Sequence, residues 1–144
     1  MLRPPGKYAW PLLAMAIAAA LFYSSSLPGD VSGDASMGII GRVQNWLPFL
    51  ACFDEDFLHF LLRKGAHFVS YLALAFCTAH ALKYYTTRYF FFMGWGIAAV
   101  YGILDEIHQH FVPGRACMFS DMLINAAGAA VGAGVVWWWV RRGV

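Results

Sequence analysis

Apolar residues run along this chain in four long blocks separated by short polar breaks. The first block extends from Tyr8 to Tyr23 and stops at the run SSSLPGD, residues 24–30. The second extends from Phe57 to Leu82 and is interrupted near its start by Arg63 and Lys64. The third runs from Tyr84 to Leu104 and the fourth from Ala116 to Val140. Each supplies roughly the 20 residues that a helix needs to cross a bilayer, the first and third with some interfacial residues included. Backbone groups inside hydrocarbon must pair within their own segment, so all four blocks are predicted to be helices, over residues 8–25, 59–82, 86–107 and 118–140. Pro11 is expected in the first turn, where a missing N–H is tolerated.

The long connection from Ser24 to Asp56 carries a different pattern. Met37, Ile40, Val43 and Trp46 or Leu47 recur at helical spacing, which predicts a short amphipathic helix lying in the interface. Its expected role is an apolar cover over the end of the bundle. The rest of residues 29–56 carries no readable chemistry. The pattern therefore gives an all-α fold: an integral membrane four-helix bundle with an external amphipathic segment between the first two spans, formed by residues 1–144 as a single domain.

Composition agrees with this reading. Of 144 residues, 60% are hydrophobic and only 12% are charged, whereas a small soluble domain carries about a quarter charged residues. The net charge of +2 is too small to suggest nucleic acid as a partner. Charge also sets an orientation. Placing both termini in the cytoplasm puts Arg3, Lys7, Lys83, Arg88, Arg141 and Arg142 inside, as the positive-inside rule prefers. All eight acids then fall outside. Trp137, Trp138 and Trp139 beside Arg141 and Arg142 read as an anchor at the inner interface.

With that topology the unusual polar side chains converge. Lys64, His67 and Tyr71 share a face on the second span; Asp105, His108 and Gln109 share one at the end of the third; Asp121 and Asn125 share one at the start of the fourth. Ionisable groups at membrane depth are expensive, so a cluster of them implies a site or a buried network. Asp121, or Ser120 before it, is expected to N-cap the fourth helix. Arg115 follows a tight Val112-Pro113-Gly114 turn. Its planar fork suits a phosphate or carboxylate ligand, or equally a pairing with Asp105, Glu106 or Asp121. Gly128 and Gly132 stand one turn apart, a spacing that lets helices approach closely, within the chain or as a face for a homo-oligomer. Cys77 reads as a small apolar filler, while Cys52 and Cys117 could both lie outside and pair.

The pieces FYSSSLP (22–28), RKGAHFVSYLALAF (63–76) and DEIHQHFVPGR (105–115), followed by Asp121, Asn125, Gly128 and Gly132, resemble the VanZ-like membrane proteins, a family named for a teicoplanin-resistance accessory protein. The resemblance covers nearly the whole chain. It implies a small four-helix protein of the bacterial inner membrane, linked to glycopeptide tolerance or to cell-envelope lipid or polysaccharide metabolism. The family's marked positions fall on Lys64, His67, Tyr71, Asp105, Glu106, Gln109, Arg115, Asp121 and Asn125. The leading expectation is a pocket in the outer leaflet that binds an anionic envelope group, either a lipid phosphate or a peptidoglycan-precursor carboxylate. Membrane lipids or lipid-linked precursors would be its partners. Arg115 and Lys64 would hold the anion, and His67 and Gln109 would donate hydrogen bonds. The alternative is an enzyme on a lipid-linked substrate, with Asp105 or Glu106 and His67 as acid and base. No cofactor is expected. A zinc or manganese site drawn from Asp105, Glu106, His108, His110 or His67 is a minor alternative, because the spacing matches no ligand pattern.

Overall fold

A computed structural model describes residues 6–143 and is all helical. Arg3, expected on the cytoplasmic side, lies outside the described residues. Helix α1 spans Gly6–Ser25, α2 Gly29–Trp46, α3 Glu55–Leu82, α4 Phe90–Gln109 and α5 Phe119–Arg141, with a 3-10 turn at Pro48–Cys52 between α2 and α3. Among these, α1, α3, α4 and α5 are long and apolar enough to cross a membrane. The four-span bundle read from the sequence is therefore the observed architecture.

Helix boundaries moved where local chemistry outweighed hydropathy. Helix α1 begins at Gly6, so Pro11 sits in the second turn and not the first. It removes the helical hydrogen bond to the Lys7 carbonyl. Helix α3 begins at Glu55, four residues before the expected start, because the Asp54 carboxylate accepts the Asp56 N–H at 2.9 Å and caps it. Helix α4 begins at Phe90, four residues late, since the chain turns at residues 83–89. The expected short amphipathic helix is instead an 18-residue helix, α2, which starts directly after Pro28. It lies against α3 and buries Ile40.

The bundle is built on α3, which touches α1, α2, α4 and α5. Its core is rich in small residues: Ala75, Ala79, Ala98, Ala129 and Ala133 are fully buried. In lipid, helices gain little from burying apolar surface against one another, so close backbone approach and interhelical hydrogen bonds carry the packing. Gly128 and Gly132 provide that approach. A Cβ on Gly128 would collide with the Phe68 carbonyl, and one on Gly132 with the Leu72 carbonyl. Of the two uses the spacing offered, the structure shows the one within the chain, between α5 and α3. Large apolar side chains such as Leu12, Val69, Val100, Leu123 and Val131 point outward, as a lipid-facing surface requires.

Connectivity puts the end of α1, the start of α3, the end of α4 and the start of α5 at one end of the bundle. Backbone contacts close that end. The Gly29 N–H donates to the Pro113 carbonyl at 3.0 Å, and the α4–α5 turn rests on the start of α2 so tightly that a Cβ on Gly29 would overlap Gly114. Gly114 itself has φ +73°, a conformation that glycine adopts freely. At the opposite end Lys7 lies over the Tyr85 ring, and Arg141 and Arg142 lie over Trp137 and Trp138. The basic and acidic ends foreseen from the sequence are thus real opposite poles of the molecule.

Candidate functional site

The acidic end holds two polar networks that meet at Tyr71. The first joins α3, α4 and α5. Lys64 is ion-paired with Asp121 and donates to Ser120 Oγ at 3.1 Å. His67 Nδ1 lies 3.1 Å from Asn125 Oδ1 and 3.7 Å from Glu106 Oε1. Glu106 Oε2 accepts the backbone N–H of Met118 at 3.2 Å. Glu106, Asp121 and Asn125 are completely buried.

The second network ties α1 to α4 and to the turn after it. Asp105 accepts a hydrogen bond from Ser25 Oγ, and Gln109 Nε2 donates to Asp105 Oδ2 at 3.2 Å and to Ser25 Oγ at 3.3 Å. Arg115 donates through Nε to the Leu27 carbonyl at 2.9 Å, through Nη2 to the Ser24 carbonyl at 2.8 Å and through Nη1 to Gln109 Oε1 at 3.3 Å. The last carbonyls of a helix have no partner inside it, so the guanidinium fork closes the end of α1. Burial and the neighbouring Arg63 push the Arg115 guanidinium down from its ordinary value, against Asp105 and Glu106, which oppose the shift. It remains charged, as arginine does.

Tyr71 stands between the networks, wholly buried, with its hydroxyl toward Asp105 but without a partner at hydrogen-bond geometry. Gly102 makes room for it. A Cβ there would come within 2.8 Å of Asn125 Cβ and 3.1 Å of Tyr71 Cε1. Every position marked in the sequence therefore lies in one continuous polar region, from Lys64 to Arg115.

A cavity of about 310 Å³ opens beside this region. It differs from the expected pocket between α3, α4 and α5, because those helices pack too closely there. Its walls come from the end of α1, from α2, α3 and α4, and from the α4–α5 turn, and include Ser24, Ser25, Ser32, His59, Arg63, His67, Ser70, Tyr71, Asp105, Gln109 and Arg115. Arg63 is half-buried on this wall and makes no hydrogen bond or ion pair among the described residues. A second, apolar cavity of about 510 Å³ lies between α2 and α3. The two share Ile39 and Ala66, so they adjoin along the α2–α3 seam.

The VanZ/LLP1 family model matches residues 10–140. The chain belongs to the VanZ/LLP1 family. No curated protein and no solved structure matches it. Family membership and the four apolar helices together make this a VanZ-type membrane protein.

The site of this VanZ/LLP1 chain corrects several expectations. Lys64 and Arg115, cast as the anion holders, are both engaged within the protein, by Asp121 and by helix-end carbonyls. Arg115 pairs with none of Asp105, Glu106 or Asp121. Neither Asp121 nor Ser120 caps α5; the cap position is Met118, whose N–H is held by Glu106 from another helix. His108 is drawn away to Phe22, with ring centroids 4.9 Å apart, and to Ser26 at 3.1 Å, and His110 is exposed. Neither can join Glu106 around a metal; the group that does converge is His67, Glu106 and Asp121. Cys52 and Cys117 are both free and exposed, and Cys77 is buried in the packing. Arg63, Ser25, Ser70 and His59 were not singled out. The signal that could have found Arg63 is its four-residue step to His67, which sets both on one helical face.

Proposed function

We propose that this protein sits in the bacterial inner membrane with both termini cytoplasmic, and that its acidic end binds the phosphate of an anionic envelope lipid at the outer leaflet. One observation carries the reading: a half-buried arginine without an internal partner faces a polar cavity that adjoins an apolar one. An unpaired guanidinium in partly desolvated surroundings is costly, and an anion removes that cost. Its fork matches two phosphate oxygens, and the Ser32 and Ser70 hydroxyls of the wall supply further donors. The adjoining groove, lined by Ile40, Val43, Leu58, Leu61, Leu62 and Val69, suits a hydrocarbon tail. A headgroup alone would need only the first cavity, so the pair of cavities favours a lipid-borne anion over a free one. The distribution of acids and bases supports the orientation, and the link to glycopeptide tolerance comes from family resemblance.

The test uses purified protein in neutral detergent with excess EDTA. Short-chain phosphatidic acid is compared with diacylglycerol of the same chains, with inorganic phosphate and with a D-Ala-D-Ala peptide. The expectation is that phosphatidic acid binds most tightly and that Arg63→Gln weakens it by about tenfold or more, the loss of one charge-assisted bidentate contact. Equal binding of diacylglycerol, or unchanged affinity in Arg63→Gln, rejects the proposal. Preference for the peptide would move it to the precursor carboxylate.

A second reading, an enzyme acting on a lipid-linked substrate, draws support from His67, which lines the cavity and stands 3.7 Å from the Glu106 carboxylate. Asp105 is held by Ser25 and Gln109, so Glu106 is the better acid–base partner of the two. Turnover of a lipid-linked phosphate that disappears in Glu106→Gln is its test.

A further inference from the structure

Counting charges in the α3–α4–α5 network leaves it unbalanced. Two fully buried carboxylates, Glu106 and Asp121, face one ammonium, that of Lys64. Lys64 engages Asp121 through Oδ1 only, and the Met118 amide engages Glu106 through Oε2 only. Glu106 Oε1 and Asp121 Oδ2 remain, buried and without any hydrogen-bond partner. Each is a Lewis base without a hydrogen bond, His67 Nδ1 standing 3.7 Å from Glu106 Oε1, in a region where such an atom costs a few kcal/mol. Beside them stands the His67 imidazole. One of its ring nitrogens and one oxygen from each carboxylate lie within 4.8 Å of one another.

We propose that His67, Glu106 and Asp121 form a binding site for a divalent cation of the manganese or zinc class. Three independent features agree on this. The donor set is one nitrogen and two ionised oxygens, which suits those ions better than the oxygen-only preference of magnesium or calcium. The orphaned oxygens are the atoms free to coordinate, while their partners within each carboxylate are already fixed. The Met118 amide on Glu106 Oε2 then orients that ligand in the manner of outer-sphere contacts at known metal sites. With Lys64 still charged the ion would take the group from one negative to one positive charge, so its role is to satisfy the orphaned oxygens and to join three helices, since the ligands come one each from α3, α4 and α5. The inference does not depend on the anion-binding reading, because neither Arg63 nor the apolar groove enters it.

The experiment starts from protein purified in detergent and stripped with EDTA, then equilibrated with manganese(II) or zinc. One metal per chain is expected by elemental analysis, together with an X-ray absorption spectrum showing oxygen ligands and a single imidazole. Melting temperature should rise with metal concentration. Glu106→Gln and Asp121→Asn should each lower affinity by about tenfold or more, whereas His108→Ala and His110→Ala, both turned away from the group, should bind as the parent does. Substoichiometric uptake by the unaltered protein, or a spectrum without imidazole scattering, overturns the proposal without any variant having to fold. Unchanged uptake in a folded Glu106→Gln, Asp121→Asn double variant overturns it too. Lipid binding lost in Arg63→Gln while metal uptake persists separates the two readings.

Discussion

Replacing Lys64 by Met should destabilise the bundle far more than replacing Asp121 by Asn, although the two residues form one ion pair. The side chains are 12% and 0% exposed respectively. Lys64→Met leaves Asp121 and Glu106 buried together with no cation between them. Removing one partner of a buried pair costs about 3–5 kcal/mol. Asp121→Asn instead leaves an ammonium on a long stem that is already partly exposed and still has Ser120 Oγ at 3.1 Å. It can extend toward the interface, so the cost should be nearer the 1–2 kcal/mol of a lost polar contact in a membrane bundle. Two further signs follow. The double variant should recover about 2 kcal/mol relative to the sum of the single ones, since it removes the orphaned charge. Replacing both Lys64 and Asp121 by neutral residues should therefore cost less than Lys64→Met alone. Reversible unfolding in mixed micelles, with EDTA present, measures all three costs. Equal costs for the two single variants, or strict additivity in the cycle, would refute the charge argument.

Other substitutions probe the packing and the helix-end closure. Gly132→Ala should cost about 1–3 kcal/mol in the same unfolding assay, because its Cβ meets the rigid Leu72 carbonyl. Gly134→Ala, whose Cβ meets only Phe91 Cε2 at 3.9 Å, should be neutral or better; matching effects would disprove the seam. Arg115→Lys keeps the charge but loses the fork, so amide hydrogen exchange at residues 24–29 should accelerate, and unchanged exchange would show that the end of α1 is held by something else. Tyr101→Phe loses its 2.7 Å hydrogen bond to the Ala18 carbonyl. A cost of about 1 kcal/mol or less is expected, since that carbonyl keeps its helical bond, and a larger one would mean that α1 depends on this contact.

How much of this was legible in the sequence varies with the kind of signal. Long apolar runs fixed the spans, and polar residues at the same depth in three of them pointed to a cluster; the α4 face read for it was Asp105, His108 and Gln109, whereas Glu106 is the α4 residue that meets His67 and the start of α5. Partnering was harder to read. Lys64 and Arg115 are cations of the right type for an anion, and nothing in one dimension reveals that Asp121 and two helix-end carbonyls already hold them. Arg63 reads in the sequence only as a polar interruption of the second span, because α3 carries two polar stripes. Lys64 lies on the one facing α5, whereas Arg63, His67 and Ser70 lie on the one facing the cavity. Ser25 read only as part of a stop signal, since a serine at the end of a span has many ordinary uses. Helix α2 came out too short because Gly29, Gly33, Gly38 and Gly41 lower its intrinsic propensity, while contact with α3 stabilises it.

The crossing of Gly29 over Gly114 has a mechanical meaning. Two connections far apart in the chain, one leading into α2 and one leading into α5, are clasped at a single point where no side chain fits. The roof that α2 lays over the polar cavity is therefore pinned along its leading edge. Any widening of the entrance has to come from the trailing half of that helix, as with a door hung on one jamb. The swing would begin beside Ile39 and Ala66, where the polar chamber adjoins the apolar one, which is the side from which the proposed lipid would enter.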